Sequence, residues 1–190
     1  MPKIITGEVR LSYAHLFQPK SINGSDPKYS ASLLIPKSDK VTLSKIKGAV
    51  DEAIEEGKTS KWNGKVPPNL KLPLRDGDED RPDDEVYEGH YFVNANSPNK
   101  PGIVKPNPAW DGVTKEEKYE MIVDPTEVYS GCYAVASISI YPFNANGNRG
   151  VGIGLNHVLK TREGEPLGGR SRAEDDFADL DLDLDAGFLD

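Results

Sequence analysis

The hydrophobic pattern changes period several times along the chain, and each change marks an element. Residues 3–13 and 28–35 ("KYSASLLI") are β-branched or aromatic runs, the second closed by Pro36. Both predict strands, joined by a loop holding Pro19, Asn23-Gly24 and Asp26-Pro27. From Asp39 the spacing becomes helical. Leu43, Ile46, Val50, Ala53 and Ile54 predict a helix of about four turns, with Ser38 or Asp39 as N-cap and Gly57 as its stop.

Residues 58–88 are rich in Pro, Gly and charge, and predict a long excursion outside the core. Strand patterns resume at 89–95 ("GHYFVNA") and 102–106 ("GIVKP"), and "VTKEEKYEMI" predicts a short helix. A hairpin is the clearest element. "CYAVASISIYPF" (132–143) alternates, "NANGN" turns, and "RGVGIGLNHVLK" (149–160) returns with Val151, Ile153, Leu155 and Leu159 on one face. The expectation is a mainly β protein with one or two helices, closed as a small antiparallel barrel with long loops. A domain over 1–172 and a tail over 173–190 complete it.

Charge refines this picture. Of 190 residues, 31 are acidic and 23 basic, a net charge of −8. Residues 174–190 hold eight acids and no base, and 76–88 ("DGDEDRPDDEVYE") hold eight acids and one base, Arg81. What remains has 15 acids and 22 bases. The chain is a basic body whose negative charge is gathered into a loop and a tail.

The single Cys132 excludes an intramolecular disulfide and suits a reducing compartment. The first residues form no apolar run of signal-peptide length, and no stretch is apolar enough to span a membrane. Together these predict the cytoplasm. One Cys and three scattered histidines, His15, His90 and His157, predict no metal site and no cofactor. No nucleophile elbow occurs, so no enzyme is expected. In "GVGIG" (150–154) the glycines sit inside a strand and open no helix, which argues for a barrel bend or the close approach of another backbone rather than nucleotide binding.

The acidic loop resembles a calcium loop at its first positions, but Arg81 stands where Gly is required and Tyr87 where Glu is required. A strut pairing with bases of the body, or of a second subunit in a homodimer, is the intermediate reading. A metal-dependent nuclease using Asp76, Asp78, Asp80 and Asp84 is the rival, weakened because a single polar loop offers no scaffold for two converging ions. A protein adaptor whose acids mimic DNA is a third.

Aromatics repeatedly accompany bases: Lys28-Tyr29, Lys61-Trp62-x-x-Lys65, Lys118-Tyr119, and Tyr13 with Phe17 and Lys20. Single-strand binders need this mixture, because cations neutralise phosphate while aromatic faces stack on unpaired bases. Tyr29, Trp62 and Tyr91 are the stacking candidates. Lys20, Lys28, Lys61, Lys65, Arg75 and Arg149 are the phosphate candidates.

The stretches "PKYSASLLIPKSD", "LPLRDGDEDRPDDEVYEGHYFVNANS", "YSGCYAVASISIYPFNANGNRGVGIGLNHV" and "REGEPLGGRSRAEDDF" closely resemble a family of bacteriophage and prophage single-stranded-DNA-binding proteins. The resemblance covers about residues 3–177. It implies an OB-fold barrel, sequence-independent binding of single-stranded DNA in phage replication or recombination, and an acidic C-terminal tail. A typical OB barrel carries its helix between the third and fourth strands, whereas here the pattern puts it after the second.

The tail alternates Leu180, Leu182 and Leu184 with aspartates, which leaves no broad apolar face for a helix and predicts disorder. It is expected to compete with DNA for the basic face. Asp181, Asp183, Asp185, Phe188 and Leu189 are the residues expected to dock phage or host replication and recombination proteins.

Overall fold

The computed structural model describes residues 1–21, 23–167, 177 and 180. Among these residues, nine strands and two helices occur in the order β1 (Lys3–Ile5), β2 (Val9–Lys20), β3 (Lys28–Pro36), α1 (Lys40–Ser60), β4 (Arg75–Asp76), α2 (Gly77–Asp80), β5 (His90–Ser97), β6 (Gly102–Pro106), β7 (Tyr119–Met121), β8 (Tyr133–Ala145) and β9 (Asn148–Arg162).

Five of these strands close on themselves. β2 pairs antiparallel with β3, β3 with β5, β5 runs parallel to β9, β9 pairs with β8, and β8 returns to β2 through Val9↔Ala134 and Arg10↔Tyr133. Closure removes the free edges that an open sheet would expose. The remaining strands extend the barrel: β1 on β8, β4 on β5, and β6 with β7 beside the far half of β9.

Strand alternation fills the interior. Val9, Leu11, Leu33, Ile35, Val93, Ala134, Ile138, Ile140, Ile153 and Leu155 are all buried on the inner face. Helix α1 packs on β8 and β1 with Leu43, Ile46, Ala49, Val50 and Ala53. Its N-cap is Asp39, whose carboxylate accepts from the Thr42 amide at 3.1 Å. The helix follows the second barrel strand, as its pattern predicts.

Four expectations change. The run 3–13 splits at Thr6–Glu8 into β1 and β2, and β2 continues to Lys20. Helix α1 does not stop at Gly57 but runs to Ser60, because Gly57 serves packing. A Cβ there would come within 2.5 Å of the Trp62 ring. The stretch 113–122 forms one 3₁₀ turn at Lys115–Glu117 and then strand β7 instead of a helix.

The excursion 58–88 is also tied down. β4 joins the sheet, and the Lys71 amide donates to Arg149 O while Lys71 O accepts from Val151. Tyr87 is fully buried on the outer barrel face against Leu34 and Phe92, with the two rings edge to face at 5.0 Å. Among the described residues no helix is long and apolar enough to cross a membrane.

Candidate single-stranded nucleic-acid interface

Two clefts adjoin on the outer face of β3 and β5. The first, about 420 Å³, is lined by Tyr13, His15, Lys20, Lys28, Arg81 and Asn94 among others. The second, about 490 Å³, is lined by Lys28, Arg75, Asn96, Tyr141, Phe143 and Gly152 among others. Lys28, Asn94 and Asn96 line both, so the clefts form one continuous path. It runs from the β2–β3 loop to the β8–β9 hairpin, across the second and third barrel strands. That is the face, between those two loops, where an OB-fold binds oligonucleotides.

Sequence pattern explains the lining. Along β8, Ala134, Ala136, Ile138, Ile140 and Pro142 point inward and are buried, so Tyr141 and Phe143 share the outward face. Opposite them on β9 stand Gly152 and Gly150. A glycine partner covers no aromatic face. Burial pushes the Tyr141 phenol pKa up, so it stays neutral. Gly150 has a second reason: a Cβ there would lie 2.4 Å from Lys71 O. This is the close backbone approach expected of the glycine run. The hairpin turns through Asn146 and Gly147, both at positive φ (53° and 85°), as a two-residue turn of matching twist requires.

The predicted residues divide into groups. Lys20 and Lys28 are exposed, paired across β2 and β3, and line the first cleft. His15 lies beside them; burial first, and the Lys20 charge second, hold its imidazole pKa below the ordinary value. Arg75 lines the second cleft, ion-paired to Asp80 at 2.9 Å and lying over Phe92. Arg149 is exposed at the hairpin tip, and Lys61 and Lys65 are exposed after α1. The Asn144 amide donates to Lys61 O at 3.3 Å, which draws that turn to the hairpin. Tyr29 is half-buried and shares the inward register of Ala31, Leu33 and Ile35.

Two stacking candidates sit elsewhere. Trp62 is a core residue, only 5 % exposed, with its ring against Gly57 and its indole N–H donating to Phe143 O at 3.2 Å. It offers no face to a base, because the helix C-terminus and β8 cover it. Tyr91 is half-buried away from both clefts, with Lys37 and Lys47 over its ring. In their place the structure brings Tyr13, Tyr141 and Phe143 to the clefts. The alternation of 133–143 against "GVGIG" carried the signal for the last two.

The acidic loop is a strut. Asp76 and Asp78 hold Lys37 at 2.8 and 2.7 Å, Asp80 holds Arg75, and Asp84 lies 3.8 Å from Arg81. The carboxylates proposed for a nuclease are thus turned to cations and backbone amides. Among the described residues no cluster of three His, Cys, Asp or Glu is suited to a metal ion. The tail residues Asp181, Asp183, Asp185, Phe188 and Leu189 lie outside the described residues.

A closed barrel bearing a basic, aromatic-lined path across this face defines the chain as an OB-type protein. It belongs to the family of the single-stranded-DNA-binding protein of Enterobacter phage Enc34, whose family model matches residues 2–188. The bacteriophage Enc34 protein in complex with single-stranded DNA is 32 % identical, with 87 % of this chain and 89 % of that one aligned at a TM-score of 0.68. Protein p50 of Acyrthosiphon pisum secondary endosymbiont phage 1 is 30 % identical over 95 % of both chains. The gp2.5 single-stranded-DNA-binding protein of bacteriophage T7 shares the fold at 15 % identity, with 96 % of each chain aligned and a TM-score of 0.57.

Proposed function

We propose that this chain binds single-stranded DNA without sequence preference in phage DNA replication or recombination, and carries out no chemistry on it. The observation that supports this most is the continuity of the two clefts through Lys28, Asn94 and Asn96. Unpaired bases stack on Tyr13, Tyr141 and Phe143, while Lys20, Lys28, Arg75 and the hairpin-tip Arg149 face phosphates. Membership of the Enc34 family supports the same reading. The medium is the host bacterial cytoplasm.

The acidic tail is the second part of the proposal. The Leu167 amide donates to Ser130 O at 2.9 Å, and Arg10 donates to Glu165 O at 2.8 Å, which straps the segment leading to the tail. Leu167 shares a groove with Tyr13, His15 and Lys20. Leu167 thus lies close to the first cleft, where the tail carboxylates can stand in for phosphates until DNA displaces them. Displacement frees Phe188 and Leu189 for partner proteins. The loop 76–88 packs on its own barrel, which supports an intramolecular strut over a homodimer contact.

A gel shift with labelled single-stranded and duplex oligonucleotides in magnesium or manganese tests the proposal. Retention of the intact single strand is expected. Cleavage would instead favour the nuclease, and no retention even without the tail would favour the adaptor.

A further inference from the structure

Between Ser12 and His15, strand β2 carries one residue more than its partner β3. Ser12 pairs with Ser32 and His15 with Ser30, three steps on β2 for two on β3, so the strand bulges between them. Tyr13 takes up the excess with φ at +46°, a left-handed conformation that strains a bulky L-residue. Its ring emerges at the first cleft and is 55 % exposed. Bulges re-aim side chains in this way, and a strained residue persists only where its surroundings hold it.

Those surroundings are the acidic loop. Arg81 lies over the Tyr13 ring at 5.1 Å and over the Tyr87 ring at 4.7 Å, and its Nη1 donates to the Tyr13 hydroxyl at 3.1 Å. The buried Tyr87 hydroxyl meets Ser12 Oγ at 3.2 Å and Ser32 Oγ at 3.3 Å, gripping the residue before the bulge and its partner. Arg81 itself ends α2, its amide donating to Gly77 O. Gly77 permits that turn because a Cβ would strike Tyr87 O at 2.3 Å. Lys37 then pins the start of the loop through Asp76 and Asp78.

Resting on the reading of this cleft as a single-strand site, we propose that Arg81 is a positioning residue that fixes Tyr13 as a base-stacking platform. The acidic loop exists to hold that arginine in place. Arg81 acts through the tyrosine and not as a phosphate contact: its Nη1 donates to the Tyr13 hydroxyl, and the Asp84 carboxylate lies 3.8 Å from the same nitrogen. A guanidinium suits this role because its flat face stacks while its N–H groups bond. A lysine in its place keeps the charge and loses both.

Affinity for an oligo-dT strand, measured against salt for the full chain and for R81A, R81K, Y13A and Y13A/R81A, tests this. Y13A is expected to weaken binding by roughly tenfold, the low end for losing a stacked base. R81A and R81K should both weaken it about threefold to tenfold, and the double variant should be no worse than Y13A alone. The slope of log affinity on log salt should not change in R81A, since no phosphate contact is lost. Rescue by lysine, additive losses, or a slope shallower by about one makes Arg81 a phosphate ligand and overturns the proposal. Wild-type affinity in R81A also overturns it. Failure of the unaltered chain to bind oligo-dT would instead bring down the function proposed above, and the platform with it. Circular dichroism melting of R81K, which preserves the charge balance of the loop, separates a misfolded variant from a misplaced tyrosine.

Discussion

The ring of Tyr141 occupies the space that a side chain at its cross-strand neighbour Gly152 would need: a Cβ there would lie 2.8 Å from the tyrosine Cζ and 2.9 Å from its hydroxyl. The glycine thus lets an aromatic ring lie beside the cleft. Gly152→Val should displace the ring and weaken single-stranded DNA binding, and Tyr141→Ala should cost about 1–3 kcal/mol of affinity. Fluorescence anisotropy with labelled oligonucleotides measures both. Unchanged affinity in Tyr141→Ala would remove this residue from the interface.

Trp62 gives the opposite expectation. It packs in the core against Gly57 and bonds Phe143 O, so Trp62→Ala should destabilise the fold by about 3–5 kcal/mol. Denaturant unfolding reads this directly. A variant of normal stability that binds DNA poorly would return Trp62 to the interface.

These two aromatics show what the sequence could and could not disclose. The barrel strands, helix α1 and the hairpin were legible because period 2 and period 3.6 patterns are local. The Lys61-Trp62 pair was not legible as core, because only tertiary packing turns an aromatic beside a lysine inward. Tyr141 and Phe143 were present in the alternation, yet their exposure depends on the glycines opposite. The role of Arg81 was hidden for another reason: a bulge and a loop some 70 residues apart in sequence must meet before it exists.

The strut has a pH signature. Hydrogen bonds and ion pairing with Lys37 lower the Asp76 and Asp78 pKa values below the ordinary 3.8, and the same contacts raise that of Lys37 above 10.5. For the aspartates, the stabilisation is complete above 3.8 and is lost as pH falls through their depressed folded values. For Lys37 it is complete below 10.5 and is lost at still higher pH. The Gly89 amide donates to Asp78 at 3.0 Å, so its proton shift in NMR should titrate with a midpoint under 3.8. Lys37→Ala should raise that midpoint. A midpoint at or above the ordinary value in the unaltered chain would contradict the strut.

Deleting residues 173–190 should tighten single-stranded DNA binding, most of all at low salt, where attraction between tail and cleft is least screened. Eighteen residues reach at most about 60 Å when extended, and Leu167, upstream of them, shares a groove with Tyr13 and Lys20. Equal affinities for the two forms at low ionic strength would leave the tail a solubility device. Phe188→Ala should spare DNA affinity and abolish capture of a replication partner.

In the function proposed above, the joined clefts bind single strands through phosphate neutralisation and base stacking. The decisive measurement titrates the tail-deleted chain with single-stranded oligonucleotides of several sequences, and with a duplex, over a range of salt. Expected are a linear fall of log affinity with log salt, near-equal affinities among the single strands, and weaker binding of duplex, whose bases are already stacked. Salt-independent affinity, strong preference for one sequence, or duplex bound as tightly as single strand would contradict it.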